Sequence, residues 1–214
     1  MKNRFFYSAL ALSISLAACN SGSNESTSGE AGELNTLHEQ QVEPAALSRE
    51  DHLKLVKAEE VETFQGVAPQ VQQHISALTG QYLKLKDALV ASNQEQANNA
   101  AADMLASLKA WKGDGLADAQ KEFYEQRSSP MQENLQQIVQ NTELSAQRNY
   151  FGRLSKHTTE LVKGFGTGQG SLYYQYCPMA FDDKGGYWLS DSKEIRNPYY
   201  GDEMLTCGRV AQTL

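Results

Sequence analysis

At 214 residues and a formal net charge of −7, the chain has the size of one domain with additional segments. Nineteen basic residues stand against 26 acidic ones with no basic tract, which excludes an electrostatic grip on nucleic acid or on anionic lipid. A negative field attracts cations without choosing among them.

Residues 1–18 carry the pattern of a secretory signal. Lys2 and Arg4 precede the apolar run Phe5–Leu16, interrupted only by small or weakly polar residues, and Ala17 and Ala18 follow. The run is too short to span a bilayer. Leu16-Ala17-Ala18-Cys19 resembles a bacterial lipobox, in which the cysteine becomes the lipidated first residue of the mature chain. Cys19 is therefore the expected lipidation site, and a lipid anchor would supply the membrane attachment that charge does not. Asn20 stands where inner-membrane lipoproteins often carry Asp, so the expected place is the periplasmic face of the outer membrane. Losing Lys2 and Arg4 with the signal would take the charge from −7 to −9.

Residues 19–65 read as the lipidated cysteine, a flexible Ser/Gly/Asn/Glu-rich tether and a short helix. That helix starts at Ser48-Arg49-Glu50-Asp51 and uses Leu53, Val56, Val61 and Phe64. Residues 66–168 read as four amphipathic helices. Val71, Ile75, Leu78, Tyr82, Leu85 and Leu89 recur at steps of three and four, one apolar stripe on a first helix. Ser92-Asn93 is a break and a new N-cap. Ala97, Ala101, Met104, Leu108 and Trp111 form a second stripe, and Gly113-Asp114-Gly115 is a turn. A third helix starts near Leu116 with Ala119 and Phe123. Pro130 kinks or restarts it, and Met131, Leu135, Ile138 and Thr142 continue it. The fourth uses Leu144, Phe151, Leu154, Thr158, Leu161 and Phe165, and ends at Gly164-Phe165-Gly166. Short connections predict an antiparallel four-helix bundle.

Residues 169–214 change character to aromatics, Gly and Pro. Leu172–Cys177 is strand-like, Asp182–Gly186 is a turn, and Tyr187-Trp188-Leu189 completes a hairpin. Asn197-Pro198 is another turn, and Met204–Val210 reads as a closing strand. The expected fold is mainly α: a four-helix bundle with a small C-terminal β-hairpin cap.

Several segments resemble one family: Lys84–Val90, Gln147-Arg148 with Phe151 and Leu154-Ser155, Cys177-Pro-Met-Ala-Phe, Trp188-Leu-Ser, Glu194-Ile-Arg-Asn-Pro-Tyr, and Gly201-Asp-Glu-Met-Leu with Cys207-Gly. It is a bacterial family of functionally uncharacterised periplasmic domains. Members occur in lipoproteins and at the C-terminus of periplasmic adaptors of copper/silver-type efflux pumps. The resemblance runs from about Val67 to Val210. It implies an association with copper or silver and an efflux adaptor as partner; it supplies no ligand set.

The residues themselves allow two chemistries in the cap. Cu(I) and Ag(I) prefer thiolate and thioether donors. Cys177 and Met179, two apart, would share one face of a strand, and Met204 and Cys207, three apart, would meet on a turn. Alternatively, two cysteines in an oxidising compartment form a disulfide, and methionines beside aromatics are core filler. Such a domain would be a non-metal interaction module. A reduced pair could bind metal where an oxidised one could not. Of the histidines, His38 and His52 lie by the tether and are expected in solvent. His74 and His157 lie beside helical stripes, and His157, near the end of the fourth helix, is the one placed to approach the cap as a further ligand. No CxxC motif and no Ser/His/Asp arrangement is apparent, so no enzyme is expected. Gly164–Gly170 lacks the Lys and the strand of a phosphate loop.

Overall fold

In a computed structural model, residues 47–168 and 170–214 are described. Residues 1–18 expected as a signal, Cys19, His38 and most of the expected tether lie outside them.

The chain is mainly helical, with a small three-stranded antiparallel sheet at its C-terminal end. Helix α1 is Arg49–Val56. Ser48 Oγ accepts from Asp51 N at 3.1 Å, and Glu50 and Asp51 sit in the first turn, where acidic side chains favour the positive helix end. The helix stops at Val56, short of the expected reach to Val61 and Phe64. Residues 57–66 run instead as a strap tied to a later helix. Glu59 N donates to Glu160 Oε1 at 3.0 Å, Phe64 N to Gly164 O at 2.8 Å, and Thr63 Oγ1 to Lys163 O at 3.0 Å.

Four long helices follow: α2 Pro69–Val90, α3 Gln94–Ala110, α4 Asp118–Gln140 and α5 Leu144–Phe165. Asn93 caps α3 as its sequence requires, accepting from Gln96 N at 3.0 Å. Gly166, at φ +69°, closes α5. Pro130 does not break α4, which runs through it. Each helix packs on the next, and α5 packs back on α2, closing a ring. All six α2 stripe residues are buried, as are Ala97, Ala101, Met104 and Leu108 of α3 and Met131, Leu135 and Ile138 of α4. The stripe misplaces the start of α4: Ala119 is exposed, and Gln120, Tyr124 and Ser128 face inward. Thr142 lies beyond the helix end and is exposed. No described helix is long and apolar enough to cross a membrane.

Strand β1 (Tyr173–Cys177) lies between β2 (Gly186–Ser190) and β3 (Arg209–Thr213), antiparallel to both. The expected hairpin is present. The closing strand begins later than expected, because Met204 belongs to the 3-10 turn Gly201–Met204. Successive side chains on β1 alternate between two environments. Tyr174 and Tyr176 face α1 and the strap: Tyr174 Oη accepts from Ala58 N at 2.7 Å, and Tyr176 Oη from Arg49 Nη2 at 3.2 Å. Gln175 and Cys177 face the 191–208 segment, with Gln175 Nε2 donating to the Ser192 and Glu194 carbonyls.

The sheet and α1 both pack on α5, which is why α5 is buried far beyond one stripe. Tyr82 of α2 joins ring to sheet. Its Oη lies 2.7 Å from Ser155 Oγ and accepts from Leu189 N at 3.1 Å. Phe151 stacks on the Tyr82 ring at 5.1 Å and meets Tyr199 at 6.0 Å.

Candidate functional site

The two cysteines of the cap converge. Cys177 closes β1 and is fully buried; Cys207 follows the 3-10 turn and is half-buried. Their Sγ atoms are 2.7 Å apart. Cys207 N donates to Met204 O at 3.0 Å, so Met204 and Cys207 do share one tight bend. Burial, followed by the hydrogen bond and charge of Cys177, pushes the Cys207 thiol up to about 11. At neutral pH the reduced pair therefore keeps that proton, and a metal would have to displace it.

Met179 departs from its expected place. The strand ends at Cys177, so Met179 does not alternate onto the cysteine's face. It stands on the β1–β2 connection, where Pro178 cannot extend the ladder, and it is 43% exposed. The turn that follows, Ala180–Asp183, carries three non-glycine residues with left-handed backbone: Phe181, Asp182 and Asp183 at φ +57°, +56° and +63°. Each costs about 1–2 kcal/mol in isolation. The turn persists because Gly185 N donates to Ala180 O at 2.8 Å and because the Phe181 ring is wedged between His52 at 4.8 Å and Tyr199 at 4.7 Å.

The histidines exchange roles. His52, expected in solvent, is buried, and its Nε2 lies 2.9 Å from Gly185 O on the hairpin. Burial lowers its pKa, against the opposing effect of that carbonyl. Its spacing from Val56, one helical turn, is the signal that marks it as inward-facing. His157, expected near the cap, lies against Glu160 and α4 instead. Its Nδ1 is 3.6 Å from Glu160 Oε2, and Arg127 Nε is 3.3 Å from the same oxygen. Burial pushes the Glu160 carboxyl up, but the nearby His157 ring and the hydrogen bond from Glu59 N outweigh it and hold it below its usual value. His157 lines a small cleft with Leu55, Pro130, Asn134 and Tyr150. His74 stacks on Trp111 at 4.0 Å and bonds the Tyr124 hydroxyl at 3.0 Å, a structural cluster of the ring.

Of the sequence-derived set, the fold brings Cys177 and Cys207 together, sets Met179 and Met204 on the turns beside them, and sends His157 to another face of α5. Among the described residues, no group of three or more His, Cys, Asp or Glu is placed to hold a metal ion.

Residues 78–170 match the family model described as a protein of unknown function (DUF3347). The match spans most of α2 to the end of α5, under half of the chain, and stops before β1. It marks an uncharacterised domain family in the helical part and does not reach the cysteines. No curated protein and no solved structure matches the chain.

Proposed function

We propose that this is a periplasmic protein, held to the outer membrane by lipid on Cys19, whose cap takes Cu(I) or Ag(I) as cargo. Cys177 and Cys207 are the primary ligands, with Met179 and Met204 as further sulfur donors. The helical ring, read as an antiparallel four-helix bundle because its connections are short, is the platform that carries the cap. The role is buffering, or delivery to an efflux adaptor, and not catalysis. The observation that carries this reading is the meeting of two thiols from distant segments with a methionine at the bend of each segment. Thiolate and thioether are the donors these ions prefer.

The separation itself favours a second reading. Two thiolates held about 2.3 Å from one tetrahedral ion lie about 3.8 Å apart. At 2.7 Å the pair is closer than that and nearer to a bond, so ion binding requires the segments to part by about 1 Å. On this alternative, Cys177 and Cys207 form a disulfide and the cap is an interaction module for an envelope partner.

Metal analysis after periplasmic expression with copper, paired with a thiol count under denaturing conditions, separates the two. The first reading expects stoichiometric copper and two free thiols, with binding lost in Cys177→Ser and weakened in Met204→Leu. No copper and no free thiols would establish the second.

A further inference from the structure

The β1–β3 ladder brings the two sulfur-bearing segments side by side as far as Tyr176 opposite Arg209. Cys207 precedes β3, and Met179 follows β1. Beyond the ladder, the tetrapeptide Asn197-Pro198-Tyr199-Tyr200 reaches both.

Asn197 is fully buried and uses its backbone and its side chain together. Its N–H donates to Leu205 O at 2.8 Å, and its Nδ2 donates to Cys207 O at 3.1 Å. Its Oδ1 accepts from Tyr199 N at 2.8 Å, and its carbonyl accepts from Gly201 N at 3.2 Å. Only an amide offers a donor and an acceptor at the two ends of so short a side chain. Three residues on, the Tyr200 hydroxyl donates to Met179 O at 2.6 Å.

The tetrapeptide is itself rooted in the helices. Arg148 of α5 donates through Nε to Pro198 O at 3.0 Å, and through Nη2 to Leu89 O and Ser92 Oγ at 3.2 and 3.0 Å. The Tyr199 ring is buried against Phe151, Phe181 and Trp188, and its hydroxyl donates to Tyr187 O.

We infer that Asn197 and Tyr200 are positioning residues of the sulfur site: Asn197 sets the Cys207 segment, Tyr200 sets the Met179 turn, and Arg148 fixes both to the helical ring. The Tyr200 half of the claim rests on the soft-ion reading, since Met179 matters only if its sulfur binds. The Asn197 half holds for a disulfide as well, because it concerns the approach of Cys207 to Cys177.

Two variants and two readouts test it. Asn197→Asp keeps the Oδ1 acceptor and replaces the donor to Cys207 with an oxygen. Tyr200→Phe removes one hydroxyl from a half-buried ring. The first readout is equilibration in glutathione buffer. Cys177 and Cys207 give two electrons and two protons to glutathione disulfide, which leaves as two glutathione thiols, so the oxidised fraction reports how closely the two sulfurs are held. The second readout is competition for Cu(I) against a chromogenic chelator.

Asn197→Asp is expected to lower the oxidised-to-reduced ratio and the Cu(I) affinity together, each by about two- to tenfold for one lost hydrogen bond. Tyr200→Phe is expected to lower Cu(I) affinity in the same range and to move the glutathione ratio less than about twofold. Thermal unfolding of both variants shows whether either change is a loss of fold.

A folded Asn197→Asp with the parent's glutathione ratio overturns the positioning role of Asn197. Where Asn197→Asp does not fold, Asn197→Ser is measured in its place with the same criterion. A Tyr200→Phe that keeps the parent's Cu(I) affinity overturns the role of Tyr200. A parent that binds no Cu(I) sinks the soft-ion reading and the Tyr200 role with it, and leaves Asn197 to be decided by the glutathione ratio alone.

Discussion

In the helical ring, Val71, Ile75, Leu78, Tyr82, Leu85 and Leu89 occupy equivalent places at regular intervals, and losing one leaves five. In the cap almost every contact is singular. One asparagine holds the Cys207 carbonyl, one tyrosine the Met179 carbonyl, and one arginine the tetrapeptide between them. The ring draws its stability from summed burial, which tolerates change; the cap buries Trp188, Leu189 and Tyr199 in the same core, but its sulfur segments are placed by single polar contacts, which do not. That difference fits a platform and a site, and it can be attacked experimentally.

The largest effect is expected where the two regions join. Phe151→Ala removes the ring stacked on Tyr82 and set against Tyr199, and should cost about 3–5 kcal/mol in urea unfolding. If cap and ring are independently stable, the transition will split in two; a single shifted transition shows that they fold as one.

Redox state is the next lever, and it acts on the cap alone. Bonding Cys177 to Cys207, 30 positions apart, should stabilise the oxidised over the reduced protein by about 3–4 kcal/mol. A gap under about 1 kcal/mol would show that the bond strains the folded cap or that the reduced, unfolded chain already keeps the two cysteines close.

Glycine substitutions give the sharpest contrast. Gly201 sits at φ +58°, and a Cβ there would lie 2.5 Å from Ser92 Oγ, so Gly201→Ala should destabilise by about 1–3 kcal/mol. Gly80 of α2 has nothing within 4 Å of such a Cβ, so Gly80→Ala should stabilise by about 0.5–1 kcal/mol. Equal effects at the two positions would erase the distinction between the regions.

Acid should act on both regions with the same sign. Burial lowers His74 from 6.5 to about 4 and lowers His52 as well. A histidine depressed in the fold contributes stability that is fully present above its unfolded pKa and is lost as pH falls through it toward the folded value. Unfolding free energy should therefore fall between pH 6.5 and about 4, and His74→Gln should flatten most of that slope. An unchanged slope in His74→Gln would assign the acid response elsewhere, with His52, the α1 residue that meets the hairpin, the next to test.

Much of the ring was legible in the chain because helical periodicity is a local property. Stripes at steps of three and four, Asn93 as a cap and Gly166 as a stop each follow from residues within one turn of one another. The start of α4 was misread because Gln120, Tyr124 and Ser128 are polar enough to look like a solvent face, although they are buried against neighbouring helices. The β1–β2 hairpin was legible from its turn residues; the left-handed path through Phe181–Asp183 was not, because only the wedge of His52 and Tyr199 around Phe181 makes it tolerable.

The sequence by itself determined that two cysteines and two methionines would lie near turns in an aromatic C-terminal segment, and that four apolar stripes would bury one another. Only the tertiary structure decided which histidine meets the hairpin, that Met179 leaves the strand's face, and that Asn197 and Tyr200 span the two sulfur segments. Those outcomes depend on contacts between residues 10 to more than 100 positions apart. No periodicity records such pairs; they are fixed by where α5 presents its second face to the cap.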